Sequence, residues 1–325
     1  MTSPQSSESG RESVSLPKCV AVFVNTRSGR GKSRDLLHAI EARLRRRGFA
    51  VNICETSDAE NLESRAQEMI STGARFLFAL GGDGTLQSLV NAAYGHNVLL
   101  GVIPTGGGND FARALGLPVR PLEALDAALS GVPRAVDLVR VCANGGVTRL
   151  YLGGGGVGLD SAAARNANGI FKNLPGRWRY VVSAICAYAR YKPQRVRVTF
   201  DSPGEAIPAE EIPWRYSTIC SVLNTPTFGA GIKLAPGARI DDGVLDFAFL
   251  ERLSLGELLR VLPRLALEGT LDLPLLIRRK TRKVRIETDN PSDFQGDGEL
   301  IGLTPVEMEV VPKAVQFLAP PIAEN

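Results

Sequence analysis

Between Lys18 and Arg134, short apolar runs alternate with longer segments in which apolar residues recur at helical spacing. This alternation predicts a parallel sheet covered by helices, that is, a doubly wound α/β domain. The predicted strands are Cys19 to Asn25, Ala50 to Glu55, Arg75 to Leu80 and Val98 to Ile103. The predicted helices are Ser33 to Arg47, Ala59 to Ser71, Leu86 to Ala93, Asn109 to Leu115 and Pro121 to Leu129.

From Ala135 onward the pattern changes to short alternating segments that Gly, Pro and Asp turns separate. Such segments predict an antiparallel β-sandwich or barrel. They are Val136 to Cys142, Thr148 to Gly153, Arg195 to Phe200, Ser217 to Asn224, Val244 to Leu250, Lys283 to Thr288 and Val306 to Val311. Two predicted helices, Arg177 to Tyr191 and Ser254 to Glu268, interrupt the series.

The chain has 325 residues, more than one core usually supports, so two domains are expected. Residues 1–17 are rich in Ser, Glu and Gln and predict a disordered tail, not a signal peptide. The predicted domains are 18–134 for the α/β part and 135–311 for the β-sandwich. The last apolar run could finish the sandwich, or residues 312–320 could return to complete the first domain.

Composition narrows the function classes. The 44% hydrophobic and 22% charged residues are typical of a soluble globular protein. The net charge of +4 includes arginine clusters, which form solvated faces or attract anionic lipid head groups. Only 6% of residues are aromatic, and none interleave with the basic runs, which argues against nucleic acid as a partner. Five scattered cysteines and two histidines disfavour a zinc site or a histidine triad and suit a cytoplasmic protein.

No stretch reaches the roughly 18 uninterrupted apolar residues of a membrane span. Any membrane contact is therefore expected to be peripheral. The amphipathic segment Leu253 to Ile277 is a candidate for such contact, and helix packing within the β domain is its simpler explanation.

Glycine-rich loops follow three of the predicted strands, at 26–32, 81–85 and 104–108. In a parallel sheet, ligands bind beyond the carboxyl ends of the strands, where these loops lie. Glycines before a helix let backbone N–H groups approach a phosphate closely. Asp83, inside the second loop, could bind a divalent cation that lies next to the phosphate, or it could orient a hydroxyl of a ribose or of the substrate. The loops therefore predict a nucleotide-binding site.

Four segments resemble motifs of one family. Gly81-Gly82-Asp83-Gly84-Thr85 resembles the nucleotide loop shared by diacylglycerol kinase catalytic domains, sphingosine and ceramide kinases and NAD kinases. Asn25 to Lys32, with Thr26 in place of a proline, and Pro104 to Arg113 resemble motifs of the lipid-kinase branch. Asp297-Gly298-Glu299 resembles its C-terminal signature. Order and spacing match from about residue 18 to 318, so the chain resembles a bacterial soluble member of the diacylglycerol kinase catalytic-domain family.

The resemblance implies an N-terminal domain like those of phosphofructokinase and NAD kinase, a C-terminal β-sandwich, and ATP and Mg²⁺ in the cleft between them. The implied catalytic residues are Asp297, Glu299 and Asp83, with Asp297 the first choice for the base. The implied ATP contacts are Asn25, Thr56, Gly81, Gly82, Asp83, Gly84, Thr85, Gln87, Gly106, Gly107 and Glu299. Asn109 and Asp110 are the implied substrate contacts, and Arg239, Asp242 and Val244 the implied ligands of a structural Mg²⁺.

Plainer interpretations stay open for several of these residues. Thr56 could cap a helix or lie in a loop, and Asp110 could cap the helix after it. Asp297-Gly298 is also a strong hairpin-turn signal, and the segment at Asp242 could be a simple turn. The family usually has threonine where Gly107 stands, which puts one phosphate contact in doubt.

The resemblance implies an ATP-dependent lipid kinase, with diacylglycerol presented at a membrane surface as the first substrate choice. A sphingoid base or ceramide is an alternative substrate. A soluble substrate, as in NAD kinase, is disfavoured by the Asn109-Asp110 run and Asp297-Gly298-Glu299. A lipid-binding pseudokinase is disfavoured by the retained acids and slightly favoured by Gly107. The expected location is the cytoplasm, with peripheral association at the inner face of the membrane, and a homodimer is kept open.

Overall fold

One mixed sheet of fifteen strands runs through the described part of the molecule. The computed structural model describes residues 19–25, 33–56, 58–158, 194–201, 210–229, 231–254 and 275–321, with isolated positions at 182, 186, 188, 256–257, 260–261 and 268–269. The predicted tail 1–17, the glycine loop 26–32 and most of the predicted helices at 177–191 and 254–268 lie outside these residues.

The N-terminal part is a parallel sheet with the order β2-β1-β3-β4. Its strands are β1 (Cys19–Asn25), β2 (Ala50–Thr56), β3 (Phe76–Gly81) and β4 (Leu99–Pro104). Every residue of β3 and β4 is buried, as expected for strands covered on both faces. The chain runs from β1 outward to β2 and then to β3 on the other side of β1. Such a reversal of strand order is where this class of sheet binds ligands.

In the part of the chain that the structure describes, five helices cover this sheet. They are α1 (Ser33–Arg46), α2 (Ala59–Ser71), α3 (Asp83–Ala93), α4 (Asp110–Ala114) and α5 (Pro121–Leu129). α1 packs against α5, where Arg43 pairs with Asp126, and α2 packs against α3, so the helices form two layers. Asp58 caps α2 by accepting a hydrogen bond from the N–H of Asn61 at 2.8 Å, so Thr56 is not the cap.

The C-terminal part is mostly antiparallel. Its strands are β5 (Val132–Ala143), β6 (Thr148–Tyr151), β7 (Gly154–Gly158), β8 (Gln194–Phe200), β9 (Glu211–Leu223), β10 (Leu245–Glu251), β11 (Leu276–Thr281), β12 (Lys283–Thr288), β13 (Asp293–Gly296), β14 (Glu299–Leu303) and β15 (Val306–Ala319). The seven predicted strands of this part are present. β7, β11, β13 and β14 were not predicted.

The final strand, β15, connects the two parts. Residues 306–311 pair antiparallel with β5, and residues 306–309 also pair with β12. Further along, Gln316 and Phe317 pair in parallel with Leu99 and Leu100 of β4. The Phe317 ring lies 5.0 Å from that of Phe111 in α4, and both are fully buried. β15 therefore serves both parts, an outcome that the apolar run at 314–318 could not decide.

Two main hydrophobic clusters correspond to the two parts. One contains the central strands and helices of the N-terminal part, and the other lies among β5, β8–β10, β12, β13 and β15. Fully burying a large apolar side chain contributes about 1.5–3 kcal/mol, so each cluster is a substantial core. Among the described residues, no helix is both long and apolar enough to cross a membrane.

Candidate active site

The first turn of α3 begins immediately after the buried strand β3. Gly81 is still extended, Gly82 is the N-cap residue, and Asp83, Gly84 and Thr85 form the first turn. The helix thus begins three residues earlier than predicted. A first turn has backbone N–H groups with no partner inside the helix, and Gly82 has no side chain with which to cap them. These N–H groups and the helix dipole suit a bound phosphate.

The second and third glycine loops lie directly against each other. An added Cβ on Gly106 would stand 2.6 Å from the Cα of Gly82, and the N–H of Thr105 donates to the carbonyl oxygen of Gly81 at 2.9 Å. A side chain on Gly106 would collide with the backbone of Gly82, and a Cβ on Gly82 would stand only 3.2 Å from the Cα of Gly106. Glycine at these two positions is therefore explained by the close approach of the loops.

Asp83 points from the first turn of α3 toward α4. Its Oδ2 accepts a hydrogen bond from the N–H of Asn109 at 3.0 Å. Burial, together with the nearby carboxylates of Asp110 and Asp297, raises the pKa of Asp83 to about 7. Asn109, in the left-handed conformation, is the N-cap residue of α4, so Asp110 is not the cap. Asp83 and Asp110 therefore lie close to each other at the same edge of the sheet.

Asp297 stands in a nest of three backbone N–H groups. Its Oδ2 accepts from Leu152 at 2.7 Å, and its Oδ1 accepts from Gly153 and Gly154 at 2.8 and 3.3 Å. Burial raises the pKa of Asp297 to about 6, although these hydrogen bonds act in the opposite direction. Asp297 and Gly298 both have positive φ, as a type I′ turn between β13 and β14 requires. The hairpin turn and the acid site are thus the same feature.

Glu299 follows the turn and reaches the second glycine loop, at 81–85. An added Cβ on Gly84 would stand 2.7 Å from Glu299 Oε1, so this carboxylate lies against the first turn of α3. The residue as a whole is solvent-exposed, and partial burial of its carboxyl raises the pKa of that group. Asp297 and Glu299 therefore differ in surroundings, because backbone donors hold Asp297 and Glu299 is solvent-exposed.

Asp110 contacts a loop of the C-terminal part. Its Oδ1 accepts from Thr227 Oγ1 at 2.7 Å and from the N–H of Gly231 at 2.8 Å. Phe228 in this loop lies near Gly154, where an added Cβ would stand 2.7 Å from the ring. The loop therefore connects Asp110 with the strand that holds Asp297.

Two amide side chains of α3 form hydrogen bonds with the C-terminal part. Gln87 Nε2 donates to the carbonyl oxygen of Gly296 at 3.2 Å, one residue before Asp297. Asn91 exchanges two hydrogen bonds with the backbone of Leu150, at 2.8 and 3.0 Å. Sequence reasoning assigned Gln87 to ATP and did not single out Asn91. The only available signal was that both are polar residues one turn apart on a mostly apolar helix.

Comparison with known proteins agrees with this arrangement. The model of the diacylglycerol kinase catalytic domain matches residues 19–141. The model of the YegS C-terminal NAD kinase beta sandwich-like domain matches residues 155–319. The chain belongs to the family of diacylglycerol kinases and YegS-like lipid kinases. The resemblance seen in the sequence and the predicted fold class, an α/β domain followed by a β-sandwich, are confirmed.

Relatives of this lipid kinase family match along most of their length. A diacylglycerol kinase of Mycobacterium tuberculosis is 28% identical over 302 residues, covering 93% of this chain and 95% of that protein. A Xanthomonas axonopodis pv. citri protein named probable lipid kinase YegS-like is 31% identical over 303 residues, covering 89% and 94%. A crystal structure of a diacylglycerol kinase from Bacillus anthracis has a TM-score of 0.68 at 20% identity, covering 94% and 97%, which supports the fold.

The remaining nucleotide residues predicted for the lipid kinase site lie at the same sheet edge. Thr56, at the end of β2, is buried and donates to the carbonyl oxygen of Val24 at 3.4 Å. Asn25 ends β1 beside it, and its side chain lies outside the described residues. Thr85 is buried in the first turn of α3, and Gly107 is exposed in the third glycine loop. Their contacts with ATP stay predictions.

A nucleotide-bound Mg²⁺ fits the residues beside the first turn of α3. Asp83 offers a carboxylate, and Asn109 Oδ1 is buried with no hydrogen-bond partner. Among the described residues, no three His, Cys, Asp or Glu side chains could hold a metal by themselves. Mg²⁺ commonly takes one or two carboxylates from a protein and the rest of its oxygens from substrate phosphates and water. Asp83 and Asn109 are thus the residues that could hold it.

The second predicted Mg²⁺ site, at Arg239, Asp242 and Val244, has different surroundings. Asp242 Oδ1 accepts from the N–H of Val244 at 3.3 Å, and Oδ2 accepts from Lys280 Nζ at 3.0 Å. Both carboxylate oxygens are thus engaged by the protein itself. The residues present do not fit a divalent cation in this arrangement, and this predicted site stays untested.

Proposed function

We propose that this protein transfers the γ-phosphoryl group of ATP to a hydroxyl of a lipid, with diacylglycerol as the first choice of acceptor. The observation that carries the proposal is that the first turn of α3 and the acids of both parts meet at one place. Glu299 lies against Gly84, and the carboxylates of Asp110 and Asp297 lie near enough to Asp83 to raise its pKa. The names of the relatives, diacylglycerol kinase and lipid kinase, support the same reaction.

On the donor side, the N–H groups of the first turn of α3 bind the phosphates of ATP. Phosphoryl transfer needs positioning and charge neutralisation more than covalent chemistry. A Mg²⁺ ion bound with ATP would neutralise part of the charge of the phosphates. Asp83 and Asn109 would hold it, because a cation would stabilise both a half-buried carboxylate with a raised pKa and a buried amide oxygen that has no hydrogen-bond partner.

Glu299 is the base that accepts the proton of the attacking hydroxyl. Asp297, the first choice from the sequence, has both oxygens directed at backbone N–H groups. These hydrogen bonds occupy both oxygens, so an acceptor hydroxyl could reach one of them only by sharing or displacing a backbone donor. Glu299 is a solvent-exposed residue and lies against Gly84 in the first turn of α3, so an acceptor can approach it. Asp297 then positions Glu299 by holding the turn that precedes it.

On the acceptor side, Asp110 accepts hydrogen bonds from Thr227 and Gly231 and so positions this part of the C-terminal region. The loop around Thr227 and Phe228 lies next to the strand that holds Asp297, where the acceptor hydroxyl must arrive. Asp110 therefore acts on the substrate through the loop as well as by its own charge. Because a lipid acceptor stays in the bilayer, the enzyme works at the membrane surface, at its inner face if the protein is cytoplasmic. Homodimer formation stays a prediction.

The test is transfer of label from [γ-³²P]ATP to four acceptors in parallel. Diacylglycerol, sphingosine and ceramide are supplied in mixed micelles, and NAD is supplied in buffer. Labelled diacylglycerol supports the proposal, and label in sphingosine or ceramide alone keeps a lipid kinase with another substrate. Label in NAD alone overturns the lipid-kinase proposal. ATP binding without any labelled product identifies a pseudokinase.

A further inference from the structure

The loop that precedes β10 carries three carboxylates with cationic partners. Asp241 pairs with Arg134 at 2.8 Å and with Arg239 at 3.2 Å. Asp242 pairs with Lys280 at 3.0 Å, and Asp246 lies 3.8 Å from the same ammonium group. Three positive side chains thus match three negative ones, and this balance leaves little net charge to attract a divalent cation.

The sheet itself determines where Lys280 stands. In the antiparallel pairing of β10 and β11, Lys280 lies directly opposite Asp246. Asp246 Oδ2 is buried and has no hydrogen-bond partner, so the nearby ammonium is its source of positive charge. The register of β10 and β11 places Lys280 between the loop, which contains Asp242, and the start of β10, which contains Asp246. The lysine can therefore bridge the two carboxylates.

We propose that the ammonium group of Lys280 is the resident cation of this loop and takes the place of a divalent ion. A Mg²⁺ ion needs a nearly octahedral shell of oxygens at about 2.0–2.1 Å, and it loses its water reluctantly. An ammonium 3.0 Å from Asp242 Oδ2 stands in the space that such a shell requires.

A fourth carboxylate nearby, that of Asp137, does not change this balance. It is fully buried, and its oxygens accept from the N–H groups of Lys313 and Gly243, each at 2.7 Å. These bonds hold the bulge of β15 and the end of the loop together. The loop is therefore built to be complete without metal, and Lys280 supplies the charge that a metal would otherwise supply.

The experiment compares wild type with Lys280→Met in nucleotide-free protein, measuring the Tm and the bound metal in EDTA and in Mg²⁺. Wild type should hold well under one Mg²⁺ per chain after desalting and should have the same Tm in both buffers. K280M should lose about 1–4 °C in EDTA, the effect expected for a partly exposed ion pair, and should regain it in Mg²⁺.

Two further variants make the result specific. Lys283→Met removes an equally long lysine that pairs with Glu307 on the neighbouring strand, so it should show no Mg²⁺ response. Adding Asp242→Asn to K280M should abolish the response, because the carboxylate that would bind Mg²⁺ is gone.

Three results would overturn the proposal. They are one Mg²⁺ per wild-type chain with an EDTA-sensitive Tm, a K280M protein with no Mg²⁺ response, or a K280M response that survives Asp242→Asn. The readouts are stability and bound metal, so they do not depend on which acceptor the enzyme phosphorylates.

Discussion

Replacing Glu299 with glutamine tests whether this residue is the catalytic base while leaving the structure of the site unchanged. The carboxylate lies against Gly84, and the exchange keeps its size while removing its ability to accept a proton. General-base catalysis typically contributes about 10²–10⁴-fold, or about 3–5 kcal/mol of barrier. We therefore expect E299Q to lose that factor in kcat with an unchanged Tm.

Asp297→Asn should behave in the opposite way. The carboxylate accepts three backbone N–H groups, and a carboxamide has only one oxygen to offer them. At least one buried N–H then loses its acceptor, at a cost of about 1–3 kcal/mol. A protein of this size loses about 2–4 °C of Tm per kcal/mol, so D297N should melt several degrees lower.

The assay measures kcat by label transfer to diacylglycerol, ATP affinity by calorimetry, and Tm by circular dichroism, on all three proteins. E299Q should bind ATP like wild type, which shows that the donor site is intact. Wild-type turnover by E299Q would refute the assignment of the base. D297N with a wild-type Tm and a loss of kcat as large as that expected for E299Q would return that role to Asp297.

Three further predictions concern the same cleft. Gly84→Ala should lower kcat by about 10²-fold without lowering the Tm, because the new Cβ must displace the Glu299 carboxylate; wild-type kcat would contradict the contact. Thr227→Val should raise the KM for lipid about 2–10-fold and leave the KM for ATP unchanged, since it removes one hydrogen bond to Asp110; equal changes in both would contradict a role confined to the acceptor. Asp83 has a folded-state pKa of about 7 against an ordinary 3.8, so the folded protein retains a proton that the unfolded chain releases. The free energy of unfolding of nucleotide-free protein should therefore fall as pH rises from about 4 to 7. Urea melts should show a smaller fall for D83N, and an identical fall would refute the assignment.

The elements that the sequence predicted best were those with a strong period and a clear end. The four parallel strands and five helices of the N-terminal part follow from apolar runs and glycine stops, with ends shifted by a few residues. β7 was missed because four of its five residues are glycine, which is unfavourable in strands. The need for glycine in β7 comes from a tertiary contact, because a Cβ on Gly155 would stand 2.6 Å from the carbonyl oxygen of Gln295 on β13.

The sequence by itself determined that an α/β part precedes a β part and that glycine loops follow strands at one sheet edge. These features are local, because periodicity and turn chemistry act over a few residues. The contacts of the site join residues far apart in the chain, such as Gln87 with Gly296 and Asp297 with Leu152. Only the tertiary structure decided these contacts and the pairing of Lys280 with Asp242. The reason is that packing and strand register, not local sequence pattern, bring distant residues together.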